Sequence, residues 1–258
     1  MRRRNSGLRG FYLLAAVSFA SAAFSAPAKT HNSEESAAPA RARAVSLSLV
    51  EGTVIVRGPG APKWAPAGLD MPIEEGVSIV TGRNGIAEIQ FENGSTVRLG
   101  PLTRVDFTEM AFGPHDGYDN HLTLVFGIAT VNVLSRRKDQ NLLSVSGAGL
   151  EPCGDTEFRT DVRHGRLRVE VFKGRLEVAN GSQSEELKKN QALARDSAAG
   201  GLQSIGMPSP DAWDQWVQAR DKQAEVAAYR RPGPGNYDWE RTLPPFGDMR
   251  FPDADDSF

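Results

Sequence analysis

The stretch LTLVFGIATV, residues 122–131, decides how the chain is read. Apolar residues alternate with a period of two on both sides of Gly127, and the parity flips across it, so the segment is strand rather than helix and something happens at the glycine. The phrase is repeated. LSLVEGTVIV begins at Leu47, with identities at Leu47/Leu122, Leu49/Leu124, Val50/Val125, Gly52/Gly127 and Val56/Val131; a looser copy, VEVFKGRLEV, begins at Val169, and IQFENGSTVR from Ile89 shares the frame. The uneven spacing of the four starts argues against a regular solenoid and for a β-roll or sandwich whose strands turn corners at equivalent glycines. At Gly52, Gly127 and Gly174 the parity flip fits either a two-residue turn or a bulge in a continuing strand. Glu51, Phe126 and Lys173, which precede them, resist positive φ and favour the bulge or corner.

IAEIQFENGSTVRLG (86–100) behaves differently. For Ala87, Ile89 and Phe91 to share a core with Val97 and Leu99, Phe91 must pair with Ser95 and Ile89 with Val97. That register needs a three-residue loop, Glu92-Asn93-Gly94, with Gly94 in the left-handed conformation.

Around this β-region the texture changes. Arg2, Arg3, Arg4 and Arg9 precede the apolar stretch FYLLAAVSFASAAF (11–24), which has the pattern of a signal peptide, 1–25. It is short for a membrane span of about 20 residues. Residues 26–44, rich in Ala, Pro and Ser, are expected to form a flexible linker. The β-domain is assigned to 45–205, with no convincing amphipathic helix inside it. PSPDAWDQWVQARDKQAEVAA (208–228) follows as one amphipathic helix, with Ser209 as N-cap, Pro210 at the first helical position, and Trp213, Trp216/Val217, Ala224 and Ala227 along one side. The Pro/Gly/Asp-rich remainder, 229–258, is expected to be a disordered tail. The fold expected is therefore all-β, with internal repeats, one helix and a tail.

Composition is that of a soluble protein, 40% apolar and 24% charged, with a formal net charge of −2 that becomes more acidic once the four N-terminal arginines are removed. Such a balance argues against nucleic acid as a partner. The single cysteine, Cys153, excludes an intramolecular disulfide and is expected to be a small buried hydrophobe. No phosphate loop, dinucleotide fingerprint, nucleophile elbow or His-Glu-x-x-His motif occurs, so neither an enzyme nor a cofactor is indicated. The nearest approach to a metal site is GPHDGYDNH, with His115, Asp116, Asp119 and His121, although those residue types also make a solvated loop, the reading preferred here. The doublets Glu74-Glu75 and Glu185-Glu186 point to opposite faces if extended and make no glycosidase-like pair alone. Trp213 and Trp216 are candidates for a partner or sugar surface, and equally for packing over the open face of the β-domain.

The order of elements in KWAPAGLDMPIEEGVSIVTGRNGIAEIQFENGSTVRLGPLTRVDF (63–107) resembles the FecR protein domain. The resemblance rests on Trp64, Gly76, Val77, Ile79, Thr81-Gly82, Ala87, Ile89, Phe91, Asn93-Gly94-Ser95, Val97, Leu99 and Pro101, and extends more loosely over residues 45–198. It departs at Asp155, which interrupts the usual Gly-Thr, and at Asn190, where glycine is usual. The resemblance implies an extracytoplasmic β-domain of the kind first known in a periplasmic regulator that couples an outer-membrane receptor to a sigma factor through a cytoplasmic N-terminal segment. Only ten residues precede the apolar stretch here, so that cytoplasmic module is not expected. The spacing of Asp, Trp and Arg over Asp211–Asp221 is similar to a segment that follows this domain in some secreted bacterial proteins. The expectation is a non-catalytic binding or signal-transducing module of the periplasm or exterior, engaging an envelope protein or glycan, with membrane contact only if the N-terminal segment is retained. The alternatives are a tethered or self-associating structural protein and a carbohydrate-active enzyme with two converging carboxylates.

Overall fold

The computed structural model describes residues 43–113, 115, 117–135, 139–197 and 200–230, the last five as backbone only. The signal peptide, most of the linker, Asp116 and the tail from residue 231 lie outside the described residues. Among the described residues, sixteen strands and one helix lie between Ser46 and Arg230.

The strands form two layers. Sheet A runs in the order β1 (Ser46–Glu51), β5 (Ile86–Gln90), β6 (Thr96–Leu99), the second half of β8 (Tyr118–Val133), β11 (Thr156–Arg163), β12 (Arg166–Lys173), β15 (Gln191–Arg195) and β16 (Gln203–Ile205). Sheet B runs β3 (Ala65–Pro66), β2 (Val54–Arg57), β4 (Ser78–Thr81), β7 (Arg104–Phe112), the first half of β8, β9 (Gln140–Val145), β10 (Ala148–Pro152), β13 (Arg175–Asn180) and β14 (Gln183–Lys188). Every described pairing is antiparallel except β8 with β9. Inward residues of both layers, among them Leu47, Ile79, Ile89, Phe107, Leu124, Phe158, Val169 and Leu176, merge into one core.

The chain passes between layers at the three glycines whose parity flips. Gly52 separates β1 in sheet A from β2 in sheet B, Gly174 separates β12 from β13, and Gly127 lies inside β8, which pairs with β7 before it and with β6 and β11 after it. All three have positive φ, at 62°, 104° and 77°. Each also presses against a second crossing of the chain: an added Cβ would lie 2.1 Å from the Asn84 carbonyl oxygen at Gly52, 2.3 Å from Thr103 Oγ1 at Gly127 and 2.1 Å from the Asp155 carbonyl oxygen at Gly174. Conformation and space thus both demand glycine there. Gly94 is different in kind. It sits at φ 88° in a hairpin within sheet A, where Ile89 pairs with Val97 and the Phe91 amide donates to the Ser95 carbonyl, the register that the alternation requires.

Both departures from the FecR-like pattern leave their turns intact. Asn190 takes φ 63°, a left-handed value that asparagine tolerates in place of glycine. Gly154 before Asp155 has φ 85°, and Thr156 is buried, its hydroxyl donating to the Arg175 carbonyl at 2.8 Å. The linker, by contrast, ends earlier than 44. The Arg43 guanidinium donates to Glu92 and to Asn120 Oδ1 at 2.8 Å and lies 4.5 Å from the Tyr118 ring centre, so the folded part begins by Arg43.

The corner glycines give a direct expectation. Gly127→Ala should cost about 3 kcal/mol, combining left-handed strain with overpacking against Thr103. Gly60→Ala, at φ 64° with nothing near its Cβ, should cost only about 1 kcal/mol. Urea unfolding of the two variants beside the parent measures the difference, and equal losses would remove steric closeness as the reason for the corners.

Candidate functional site

Alternation places the residue between two inward apolar neighbours on the outer face of its sheet. In sheet A those outer residues line up across five strands: Glu88 on β5 stands opposite Arg98 on β6, Arg98 opposite Thr130 on β8, Thr130 opposite Arg159 on β11, and Arg159 opposite Glu170 on β12. A row of charges on an outer face is ordinarily solvated. Here each of the five is at most 5% exposed.

The cover is the helix α1 (Ala212–Arg230). It starts later than Ser209. Asp211 is the N-cap: its Oδ1 accepts from the Trp213 and Asp214 amides at 2.9 and 3.1 Å, while Asp214 Oδ2 accepts in return from the Asp211 amide at 2.9 Å. This reciprocal arrangement is a capping box built with aspartate at the third helical position, and it displaces Ser209 because only Asp211 reaches those amides. Both carboxylates also hold Arg159, whose two terminal nitrogens donate to Asp211 and Asp214 at 2.8 Å each. Trp213 is buried against Ile128 beside Val217, stacks on Trp216 at 5.1 Å between ring centres, and donates its indole N–H to Thr130 Oγ1 at 2.9 Å. Among the described side chains the apolar stripe ends at Val217, Ala227 lying outside them. Ala224 is exposed, and the contacts beyond Val217 are ionic: Arg220 reaches Glu88 at 2.8 Å, and Asp221 reaches Arg98 at 2.7 Å.

These partners reset the carboxylates. Burial alone pushes Glu88 up, but hydrogen bonds from Arg220, Arg98 and Ser48 pull it down to about 2. The hydrogen bond from Arg159 likewise draws Asp211 down to about 2. Arg159 is drawn down by burial and carried above its ordinary value by the same two aspartates. Glu170 goes the other way: burial raises it, and Arg168 with Arg159 only partly offsets that.

The other residues singled out in the sequence fall into scaffold positions. Trp64 is half-buried, with the Arg57 and Arg104 guanidinium groups 4.9 and 5.9 Å from its ring centre. Gly76 has φ 85° beside Pro59, and the Thr81 hydroxyl donates to the Gly100 carbonyl at 2.6 Å while Gly82 abuts Thr53. Asn93 Oδ1 accepts from the Ser95 amide, Asn93 Nδ2 donates to the Leu134 carbonyl at 3.0 Å, and the Leu134 amide donates to Ser95 Oγ at 2.9 Å, which staples the β5–β6 loop to the end of β8. Of the metal candidates, Asp116 lies outside the described residues. His115, Asp119 and His121 form no metal-holding group; His121 Nε2 is 2.7 Å from Ser144 Oγ on the outer face of sheet B. Cys153 is half-exposed rather than buried, because it sits in the connection after β10, outside the inward alternation. Glu186 pairs with Arg175 at 3.3 Å, and Glu75 accepts from the Met110 amide.

Next to the N-terminus of α1 lie two adjoining hollows of about 910 and 710 Å³ that share Asp161, Arg163, His164 and Arg168. Their rim is the β11–β12 hairpin, in which Arg163 pairs with Arg166 and His164 and Gly165 both hold positive φ, as a two-residue type I′ turn requires. Their far wall is apolar. Leu102 and Phe126, flanking the Gly127 corner, remain 52% and 42% exposed.

Residues 77–177 match the family model described as FecR protein. This central part of the chain is similar to the FecR family. The match spans β4 to the start of β13, so the first corner and α1 lie outside it while the hairpin rim and the Gly127 corner lie inside. Two crystal structures of a candidate anti-sigma factor from Parabacteroides distasonis, at 1.65 and 2.50 Å resolution, are similar to this chain at 17% identity, with TM-scores of 0.45 and 0.44. Each covers 55% of this chain, which in turn spans 64% and 62% of theirs, less than two thirds of their length. No curated protein matches the sequence. Among the described residues, no helix is long and apolar enough to cross a membrane.

The buried row escapes a reading of the sequence because each member looks like an ordinary solvent-facing residue. The only signal is that Glu88, Arg98, Arg159 and Glu170 are long charged residues at equivalent outward positions. A test follows from Glu88. Its folded pKa lies below the usual 4.5, so its contribution is present above about pH 4.5 and is lost as pH falls towards 2. That shift corresponds to about 3 kcal/mol. Glu88→Gln should therefore lower stability by about 3 kcal/mol at pH 7 and by almost nothing at pH 2. Glu170→Gln, removing a carboxylate whose charge burial disfavours, should cost less than about 1 kcal/mol at pH 7. Denaturant unfolding across this range decides it, and a Glu88 deficit independent of pH would refute the ion-pair account.

Proposed function

We propose that this protein is a non-catalytic regulatory module, exported from the cytoplasm, that engages a protein partner of the cell envelope through the groove beside α1. The observation that carries the reading is the contrast within one face. The charged row under α1 is consumed in clamping the helix to sheet A, whereas Leu102 and Phe126 stay exposed beside the Arg163–Arg166 hairpin. Exposed apolar side chains at a rigid corner, rimmed by arginine, have the composition of a protein-binding patch. The similarity to the FecR family and the N-terminal pattern of arginines followed by an apolar stretch support a role outside the cytoplasm.

The strands under the groove are held by the core, so the patch can be altered without touching the clamp. With the full chain immobilised, envelope extract should yield discrete retained proteins. Leu102→Glu with Phe126→Glu should reduce that retention at least tenfold while the thermal midpoint stays within a few degrees of the parent. Retention unchanged by the double substitution would rule out the groove as the binding face.

A further inference from the structure

The hairpin at the rim of the groove presents exposed basic side chains. Of the five arginines that line the two hollows, Arg159 is held by Asp211 and Asp214 and Arg168 by Glu170, whereas Arg163 and Arg166 project from the hairpin towards solvent. Arg166 is exposed on the hairpin turn, and the Arg163 side chain, 66% exposed, pairs with Asp161 at 3.1 Å. Arg195 differs from these, standing opposite the buried Leu167 on the core-facing side of β15. It is 2% exposed, donates to the neutral acceptors Asn180 Oδ1 and the Ser146 carbonyl, and leaves its Nε without a partner. Among the described residues no carboxylate pairs with it.

Resting on the reading that this groove is a binding face, we propose that its occupant in the free protein is the chain's own C-terminal segment, residues 238–258, which holds the groove until a partner displaces it. The chemistry matches on both counts. The segment has six acids, Asp238, Glu240, Asp248, Asp253, Asp255 and Asp256, against Arg241 and Arg250, and it brings Trp239, Phe246, Phe251 and Phe258 for the apolar wall at Leu102 and Phe126. The reach is sufficient. α1 begins at the groove, where Asp211 and Trp213 line it, and its 19 residues carry the chain about 28 Å away. The eight residues 231–238, at about 3.3 Å each, span roughly 26 Å in return, so the acids beyond them come within range. A tethered segment meets its site at an effective concentration of about 1 mM, so an intrinsic Kd of about 0.1 mM is enough for an outside competitor to bind about tenfold more weakly.

The test needs only purified components. A fluorescent peptide of residues 238–258 is titrated by anisotropy into the full chain, into the full chain with those six acids changed to their amides, and into that amide variant carrying Arg163→Glu and Arg166→Glu. The amide variant should bind the peptide about tenfold more tightly than the unaltered chain, because its own tail no longer competes. The two arginine substitutions, on an exposed turn, should then weaken binding at least tenfold with an unchanged thermal midpoint, and added salt should weaken it further. Equal affinity of the unaltered chain and the amide variant would overturn occupancy by the tail. Equal affinity with and without the arginine substitutions would overturn the groove as its site, and no binding to any of the three would overturn both. Capture of an envelope protein at the Leu102/Phe126 patch without peptide binding would leave the partner-binding reading standing and sink this one.

Discussion

A strand that crosses from one layer of a sandwich to the other must reverse which of its residues face the core, and this chain makes that reversal with a left-handed glycine pressed against another crossing. Gly52 meets Asn84, Gly127 meets Thr103, and Gly174 meets Asp155. The crossings are therefore paired, and neither member can move without the other. Because β8 runs through such a corner unbroken, its two halves lock sheet B to sheet A, and the inward rows of both sheets share one core. With the corners fixed, the register across sheet A is fixed too. That register is what brings Glu88, Arg98, Thr130, Arg159 and Glu170 into a single line.

That line explains why the helix belongs to the domain rather than trailing from it. Over residues 212–225, whose side chains are described, α1 buries chiefly Trp213 and Val217, with Trp216 partly covered, and such a stripe is thin for about four turns of helix. What it lacks in area it gains in matched charge: acids at its start meet Arg159, and Arg220 with Asp221 meets the Glu88–Arg98 pair. Buried ion pairs are weak sources of net stability, since desolvation offsets much of the attraction, but they are intolerant of misplacement. A helix seated by charges in a row has essentially one register and one direction. Its capping aspartates are then held at the edge of the groove, where they also serve as the ligands of Arg159.

Much of the architecture was legible in residues 45–205 because alternation and glycine carry it. The parity flips at Gly52, Gly127 and Gly174 pointed to corners, and the alternation around Asn93-Gly94 set its pairing. The helix was legible in kind and not in detail. Ser209 and Asp211 are both good caps on paper, and only the reciprocal bond with Asp214 separates them. Ala224 fell on the expected stripe by spacing, yet the seat changes from apolar to ionic after Val217, a change that depends on what the sheet offers beneath it. Cys153 was assigned to the interior by residue type alone, whereas its place in a connection leaves it half-exposed. The polar row and the groove were hidden for one reason: they arise from residues far apart in sequence that only pairing across five strands makes neighbours.

The groove follows from the same two constraints. At Gly127 the inward alternation of β8 breaks, so Phe126, which would otherwise continue the core-facing series of Leu122 and Leu124, is turned out beside Leu102. An apolar side chain is thus exposed as a consequence of the corner, and substitution of the glycine is no remedy because the crossing needs it. Sheet A continues past this corner into the type I′ turn that raises Arg163 and Arg166, and the cap of α1 closes the remaining side. Corner, hairpin and helix start therefore converge on one hollow because the sheet's register puts them there. A partner segment that brings aromatic and acidic side chains together finds both complements within that hollow, on a wall the core holds rigid, and little ordering cost falls on the domain when it binds.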